Sequence, residues 1–195
     1  LWYSAALLLL QRVVSLEALG HYAVAKTMAM VVAMPALTLA SVVGPRAAVL
    51  SGRSFFRYLA QMAALTGAVT LPLALGAGLF GRFAVTSIFG VRYEAAAGVL
   101  PWLAFGMAGW GLYQVASRLW IGHGRPGIDL GSTFVGMLVT LLVGVIAVPR
   151  LELTGAGLAF FLGSTARVLV VAGYSLWTFA RTGPSEEGRA AGPPA

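Results

Sequence analysis

Six runs of apolar residues, separated by short polar connections, organise this chain. Charged residues fall mostly in the connections, and the interior of each run is apolar on every side. A helix that is apolar all round, and not along one stripe, is typical of a buried or membrane-spanning segment. The runs cover residues 1–14, 21–43, 56–80, 95–121, 130–148 and 155–180.

The length of the runs favours helices that cross a bilayer. A transmembrane helix needs about 20 predominantly apolar residues, and every run except the first approaches or exceeds that length. The ten-residue alternation of a membrane β-barrel is absent. We therefore predict an all-α fold, a polytopic membrane bundle of about six transmembrane helices.

Composition agrees with this interpretation. Hydrophobic residues make up 59% of the chain and charged residues only 10%, with a mean hydropathy of +0.87. Soluble domains carry about 25% charged residues, so the surplus apolar surface is expected to face lipid. We predict one membrane domain over residues 1–181. The polar, Gly/Pro/Ala-rich residues 182–195 are predicted to be a disordered tail.

Three local features refine the picture. The first run is short and opens at Leu1 without an initiating Met, so we expect it to be a helix truncated at its start. Pro35 and Pro72 lie inside apolar runs and predict kinks, since membrane helices tolerate proline. Residues 80–89 form an amphipathic stretch, which is expected to lie at the outer interface.

The basic residues predict an orientation. Seven lie in connections on one side of the predicted bundle and five on the other. We expect the protein to lie in the cytoplasmic membrane, and the positive-inside rule then predicts that its C-terminus faces the cytoplasm. The first group is Arg46, Arg53, Arg57, Arg118, Arg125, Arg181 and Arg189; the second is Arg12, Lys26, Arg82, Arg92 and Arg150.

Several function classes are disfavoured. The net charge of +7 comes from singly spread residues suited to lipid headgroups, without a basic run, so nucleic acid is not an expected partner. The chain has no cysteine, and its two histidines lie at connections without a carboxylate nearby in sequence. The pattern G-x-G-x-x-G at residues 76–81 ends a predicted span, where no dinucleotide-binding turn forms. We expect no cofactor, no metal and no enzyme activity.

Small residues are predicted to pack helices together. Gly136, Thr140 and Gly144 recur every four residues, and Gly98 and Gly106 repeat less regularly. This spacing lets helix backbones approach closely in lipid.

Polar residues inside the runs are the candidates for function, because charge in lipid is costly unless paired or hydrated. Arg167 lies near the middle of the last run. It shares one helical side with further polar residues, including Ser164 and Tyr174. This stripe predicts either the wall of a hydrated cavity or an interhelical polar contact.

A second set of candidates lies on the first two runs. Lys26, the only lysine, is one turn from Tyr22 on the same face. Lys26 either faces a cavity that admits an anion or extends to nearby headgroups. Gln11 and Arg12 lie near the same membrane face and carry the same two interpretations.

Three stretches resemble a known family in their order and spacing. Residues 16–50 contain a Gly-x-Tyr entry into a helix that ends in Pro-Arg. Residues 88–126 contain a Phe-Gly-x-x-Tyr turn, a long helix and a Gly-Arg turn, and residues 148–170 contain a Pro, a short turn and Gly-Ala-Gly-Leu-Ala. Together they resemble the C-terminal half of polysaccharide or lipid-linked oligosaccharide flippases, in the multidrug/oligosaccharidyl-lipid/polysaccharide exporter superfamily.

The resemblance implies two six-helix lobes around a central cavity that exports a polyprenyl-linked glycan by alternating access. This chain would be the second lobe, and its partner the N-terminal lobe of the same full-length protein. Members of the family use cavity cations to accept the pyrophosphate of the substrate. That role would suit Lys26, Arg12 and Arg167.

Other functions stay open. A cation-coupled multidrug exporter of the same superfamily usually needs a carboxylate inside the membrane, whereas the acidic residues here lie at the ends of the runs: Glu17, Glu94, Asp129 and Glu152. A membrane-embedded enzyme of cell-envelope synthesis would favour long external loops or a paired acid and base. A non-transporting membrane scaffold is a further alternative.

Overall fold

The described part of the chain is helical throughout. The computed structural model describes residues 16–181 and contains no strand within them. The all-α prediction is therefore confirmed. The elements are α1 (Leu16–Val49), α2 (Gly52–Phe89), a short 3-10 turn (Val91–Tyr93), α3 (Glu94–Gly122) and α4 (Gly127–Arg181).

Four of these helices are long and apolar enough to cross a membrane, with mean hydropathies between 1.4 and 2.2. Large apolar side chains such as Val42, Leu79 and Leu142 are exposed along them. These four helices are therefore candidate membrane spans, as a membrane protein would have. The 38 residues of α2 measure about 57 Å along the axis, which exceeds the roughly 30 Å of a bilayer core.

The longest helix, α4, folds back on itself at Glu152. This residue has φ +46° and ψ −120°, outside the helical region. A side chain at Gly155 would collide with the carbonyl of Ala147, and one at Gly163 would collide with the hydroxyl of Thr140. Two arms, 127–151 and 153–181, therefore pack antiparallel and correspond to the predicted runs 130–148 and 155–180.

Counted with both arms, the part of the chain from 16 to 181 crosses the bundle five times. The predicted run 1–14 and the predicted tail 182–195 lie outside the described residues. A count of six helices and a second lobe therefore stay predictions.

Helix α3 occupies the centre of the bundle. Its Gly111 faces Ala36 of α1, and Gly122 faces Gly44 further along, so α1 and α3 run parallel. Alanines on one side of α1 are buried at this contact, in agreement with the close approach that small residues permit. Gly81 of α2 packs on Leu100 of α3, and α2 runs in the opposite direction.

The bundle has two ends. Arg82 of α2 pairs with Glu94 of α3 at 2.5 Å, and Arg92 lies 3.9 Å from Glu17 of α1. These residues and the bend in α4 form what we call the Glu152 end. The opposite end, which we call the Arg181 end, contains the α1–α2 and α3–α4 connections.

Two predicted boundaries are corrected. The predicted run 21–43 ends too early, since α1 continues through Gly44-Pro45 to Val49, and Ala47 in its last turn is fully buried. Residues 80–89 are not a separate interfacial stretch, since α2 continues through them to Phe89. Gly81 and Val85 are buried there, so this part of α2 still has a face to pack.

Candidate functional site

Arg167 lies deep inside the bundle, on the second arm of α4. It is 5% exposed and lies 14 residues, about 21 Å along the helix, from Arg181. Its Nη2 donates a hydrogen bond to the Thr133 hydroxyl at 2.6 Å. Its guanidinium carbon lies 3.8 Å from the centre of the Tyr113 ring, within the range of a cation–π contact.

A carboxylate completes this arrangement. The hydroxyl of Tyr113 donates a short hydrogen bond to Asp129, and Ser117 donates to the same carboxylate oxygen at 2.5 Å. The hydroxyls of Tyr113 and Thr133 are 3.1 Å apart. The five residues that share these contacts, which we call the polar cluster, are Tyr113, Ser117, Asp129, Thr133 and Arg167.

The polar cluster connects three passes of the bundle. Tyr113 and Ser117 come from α3, Asp129 and Thr133 from the first arm of α4, and Arg167 from its second arm. Burying a charge in the membrane is tolerated when partners replace its water. Here one cation and one anion share hydroxyl partners, which favours a single arrangement of the three helices.

A glycine makes room for the Arg167 side chain. A Cβ atom at Gly136 would lie 2.6 Å from the Cδ of Arg167 and 3.0 Å from the carbonyl oxygen of Gly163. The predicted packing role of Gly136 is confirmed, as is that of Gly106, where a Cβ would lie 2.5 Å from Phe160. At Gly98 no residue of the described range 16–181 lies within 4 Å of such an atom, so its predicted packing role finds no support there.

The other residues of the predicted stripe have different surroundings. Ser164 is fully buried behind Gly109 of α3, and its hydroxyl has no hydrogen-bond partner among the described residues. Tyr174 lies near the Arg181 end, where its hydroxyl accepts a hydrogen bond from Arg125 at 2.5 Å. Arg167 and Ser164 of the stripe thus face the interior of the bundle. Tyr174 instead faces the α3–α4 connection.

The candidates on α1 form a separate group. Tyr22 is 3% exposed and belongs to a buried core cluster to which all four helices contribute. Lys26, one turn further, is partly exposed. Gln11 and Arg12 lie outside the described residues.

Sequence reasoning missed Asp129 and Thr133. Asp129 does lie in the first turn of α4, as expected of a residue at the end of a run, but its carboxylate is turned inward to Tyr113 and Ser117. The available signal was the spacing of those two hydroxyl residues, which lie one turn apart on α3. That these two hydroxyls contact Asp129, across the Gly-rich connection, depends only on how α4 packs on α3.

Within residues 16–181, no group of three or more His, Asp or Glu side chains is placed to hold a metal ion. Comparison of the chain with family models, with characterised proteins and with solved structures finds no match. The resemblance to flippases therefore rests on the three sequence stretches alone.

Proposed function

We propose that this chain forms one lobe of a two-lobe transporter that moves lipid-linked oligosaccharide or polysaccharide precursors across the bacterial cytoplasmic membrane by alternating access. The second lobe would be an N-terminal half of the full-length protein. The transported substrate would be a polyprenyl-linked glycan, whose pyrophosphate needs a cationic partner while it crosses the membrane.

The observation that carries the proposal is the position of the turns. The Phe-Gly-x-x-Tyr stretch of the resemblance coincides with the α2–α3 turn over residues 89–93. The Gly-Arg stretch coincides with the turn after α3 at Gly124 and Arg125. The Pro-turn-Gly stretch coincides with the bend at Glu152. These three features, from the second and third stretches, fall where the resemblance needs a change of direction, whereas the Pro-Arg pair of the first stretch lies inside α1.

Within this proposal, Lys26 is the residue that contacts the substrate. It is partly exposed on α1, and its charge would meet the pyrophosphate at the membrane face that Arg12 is predicted to share. Arg167 is a positioning residue, because its guanidinium is occupied by Thr133 and Tyr113.

The proposal is tested by glycan export in cells that carry the full-length protein. We expect Lys26→Ala to lower export about tenfold or more, since one charge-assisted contact contributes about 1.5–3 kcal/mol. Lys26→Arg should retain most of the export. Arg150→Ala, which removes an exposed cation at the same end, is the matched control and should have little effect.

Membrane abundance is measured for each variant by immunoblot. Export that is equal for Lys26→Ala and wild type at equal abundance would remove Lys26 from the substrate path. A wild-type protein that supports no glycan export would contradict the flippase proposal itself.

A second function has one observation in its favour. A cation-coupled multidrug exporter needs a carboxylate inside the bundle, and Asp129 contributes one to the polar cluster. In this case Asp129→Asn would abolish ion-driven drug efflux. A flippase, by contrast, would show no ion-driven drug efflux in either the wild type or the Asp129→Asn variant. In a flippase the substitution would weaken only the packing around Arg167.

A further inference from the structure

An open groove runs along the outside of the bundle between α2 and the second arm of α4. Its volume is about 900 Å³, at the upper end of the range for small-molecule sites. Helix α3 forms its floor through Leu112, Tyr113 and Ala116. The groove exists because α2 and the second arm both pack on α3 and leave a gap between them.

The groove has the length of one membrane leaflet. On α2 it extends from Arg53 to Ala63, and on α4 from Val168 to Phe179. Ten or eleven residues of helix measure about 15–17 Å, and one leaflet contributes about 15 Å of hydrocarbon. It begins at the Arg181 end and stops at Ala63 and Val168, partway along the bundle.

The walls are apolar for most of this length. Two hydroxyls border the groove, and both are already engaged. Ser175 donates to the carbonyl of Val171 at 2.7 Å and accepts from the indole of Trp120 at 3.0 Å. The Tyr113 hydroxyl points to Asp129. A molecule in the groove therefore meets a hydrocarbon-like surface.

Charge is confined to the mouth of the groove. Arg53 and Arg57 lie one turn apart on α2, so both project on the same side of the helix, and both are exposed and line the groove. A pair of guanidinium groups in this position suits a phosphate, which arginine binds in a bidentate manner.

We propose that the groove binds one anionic phospholipid from the leaflet at the Arg181 end, with its phosphate at Arg53 and Arg57 and its acyl chains between α2 and α4. The charge at the mouth matches the headgroup, and the apolar length matches the chains. Basic pockets between helices bind anionic headgroups in this way. The site is independent of the proposed transport function.

The test is lipid retention by the purified full-length protein in detergent, measured by native mass spectrometry after addition of phosphatidylglycerol alone or phosphatidylcholine alone. We expect one molecule of phosphatidylglycerol to be retained in preference to phosphatidylcholine. The double variant R53Q/R57Q should weaken retention about thirtyfold, because each arginine near the surface contributes roughly a factor of five.

The matched control is R46Q/R118Q. It removes the same charge from two exposed arginines at the same end of the bundle but outside the groove, and it should leave retention unchanged. Ala63→Trp should fill the inner part of the groove and reduce retention while the headgroup site stays intact. A thermal melt of each variant confirms that it is folded.

Three results would overturn the proposal. The first is equal retention of the two lipids together with no effect of R53Q/R57Q. The second is efficient crosslinking between two copies of the Ala60→Cys variant, which would place a second copy over the groove. Residues 1–195 contain no other cysteine, and any cysteine of the N-terminal half is replaced by serine beforehand. The third is displacement of phosphatidylglycerol by a much lower concentration of polyprenyl phosphate, which would make the groove a substrate site.

Discussion

At the scale of single residues, the charge of Arg167 is kept inside the bundle by a hydrogen bond to Thr133 and by the ring of Tyr113. An isolated arginine near the middle of a membrane helix is costly. Partners on two other passes, together with the carboxylate of Asp129 nearby in the polar cluster, offset that cost. Arg167 thus links helices that lipid alone would not hold together.

Gly136 provides a direct test of this packing. We expect Gly136→Ala to destabilise the protein by about 1–3 kcal/mol, the usual cost of overpacking, because the new methyl group would meet the Arg167 side chain and the Gly163 carbonyl. The measurement is the thermal midpoint in detergent. Gly131→Ala on the same arm is the control, since no residue between 16 and 181 lies within 4 Å of its Cβ position. Equal midpoints for the two variants would contradict the close contact.

At the scale of elements, the reversal of α4 is made by one residue with positive φ. Glu152 has no glycine-like freedom, and a non-glycine residue in such a conformation costs about 1–3 kcal/mol. Contacts along the two arms, such as Gly155 on Ala147 and Gly163 on Thr140, hold the turn in place. The strain is local and is outweighed by packing over the length of both arms.

Replacement of Glu152 by glycine is expected to relieve this strain. Glycine adopts positive φ readily but loses more backbone entropy on folding, so we expect a net stabilisation of about 1 kcal/mol and a higher thermal midpoint. Glu152→Ala removes the charge and keeps the strain, and it should leave the midpoint close to wild type. If both variants shift the midpoint equally, the charge and not the backbone is responsible.

At the scale of the whole molecule, positive charge is unequal between the two ends. In the described part of the chain the Arg181 end holds Arg46, Arg53, Arg57, Arg118, Arg125 and Arg181, whereas the Glu152 end holds Lys26, Arg82, Arg92 and Arg150. Two of the latter are paired with carboxylates. The positive-inside rule therefore predicts that the Arg181 end faces the cytoplasm.

The cysteine-free chain allows this orientation to be tested with single cysteines. Ser51→Cys lies in the exposed α1–α2 connection at the Arg181 end, and Val91→Cys is exposed in the α2–α3 turn at the Glu152 end. In spheroplasts, a membrane-impermeant maleimide should label the cysteine at 91 and not the one at 51. Both should be labelled after the membrane is permeabilised. The reverse pattern would invert the predicted topology.

The helical content and most of the helix positions could be predicted from the apolar runs. The run 95–121 differs from α3 by one residue at each end, because a connection with Gly and charged residues flanks it on either side. The ends of α1 and α2 were predicted too early. In α1, Ala47 packs in the core and the helix continues past Pro45. In α2, Gly81 and Val85 are buried and the helix continues through residues 80–89.

The sequence by itself determined that this chain forms apolar helices suited to a membrane, that the connections on one side carry more basic residues than those on the other, and that Arg167 lies deep within the last apolar run. These features depend on local composition and helical periodicity. Only the tertiary structure decided that Asp129 and Thr133 join Arg167, and that a groove stays open between α2 and α4. Both results depend on which helices pack on α3, and contacts between residues far apart in sequence are not encoded in any local pattern.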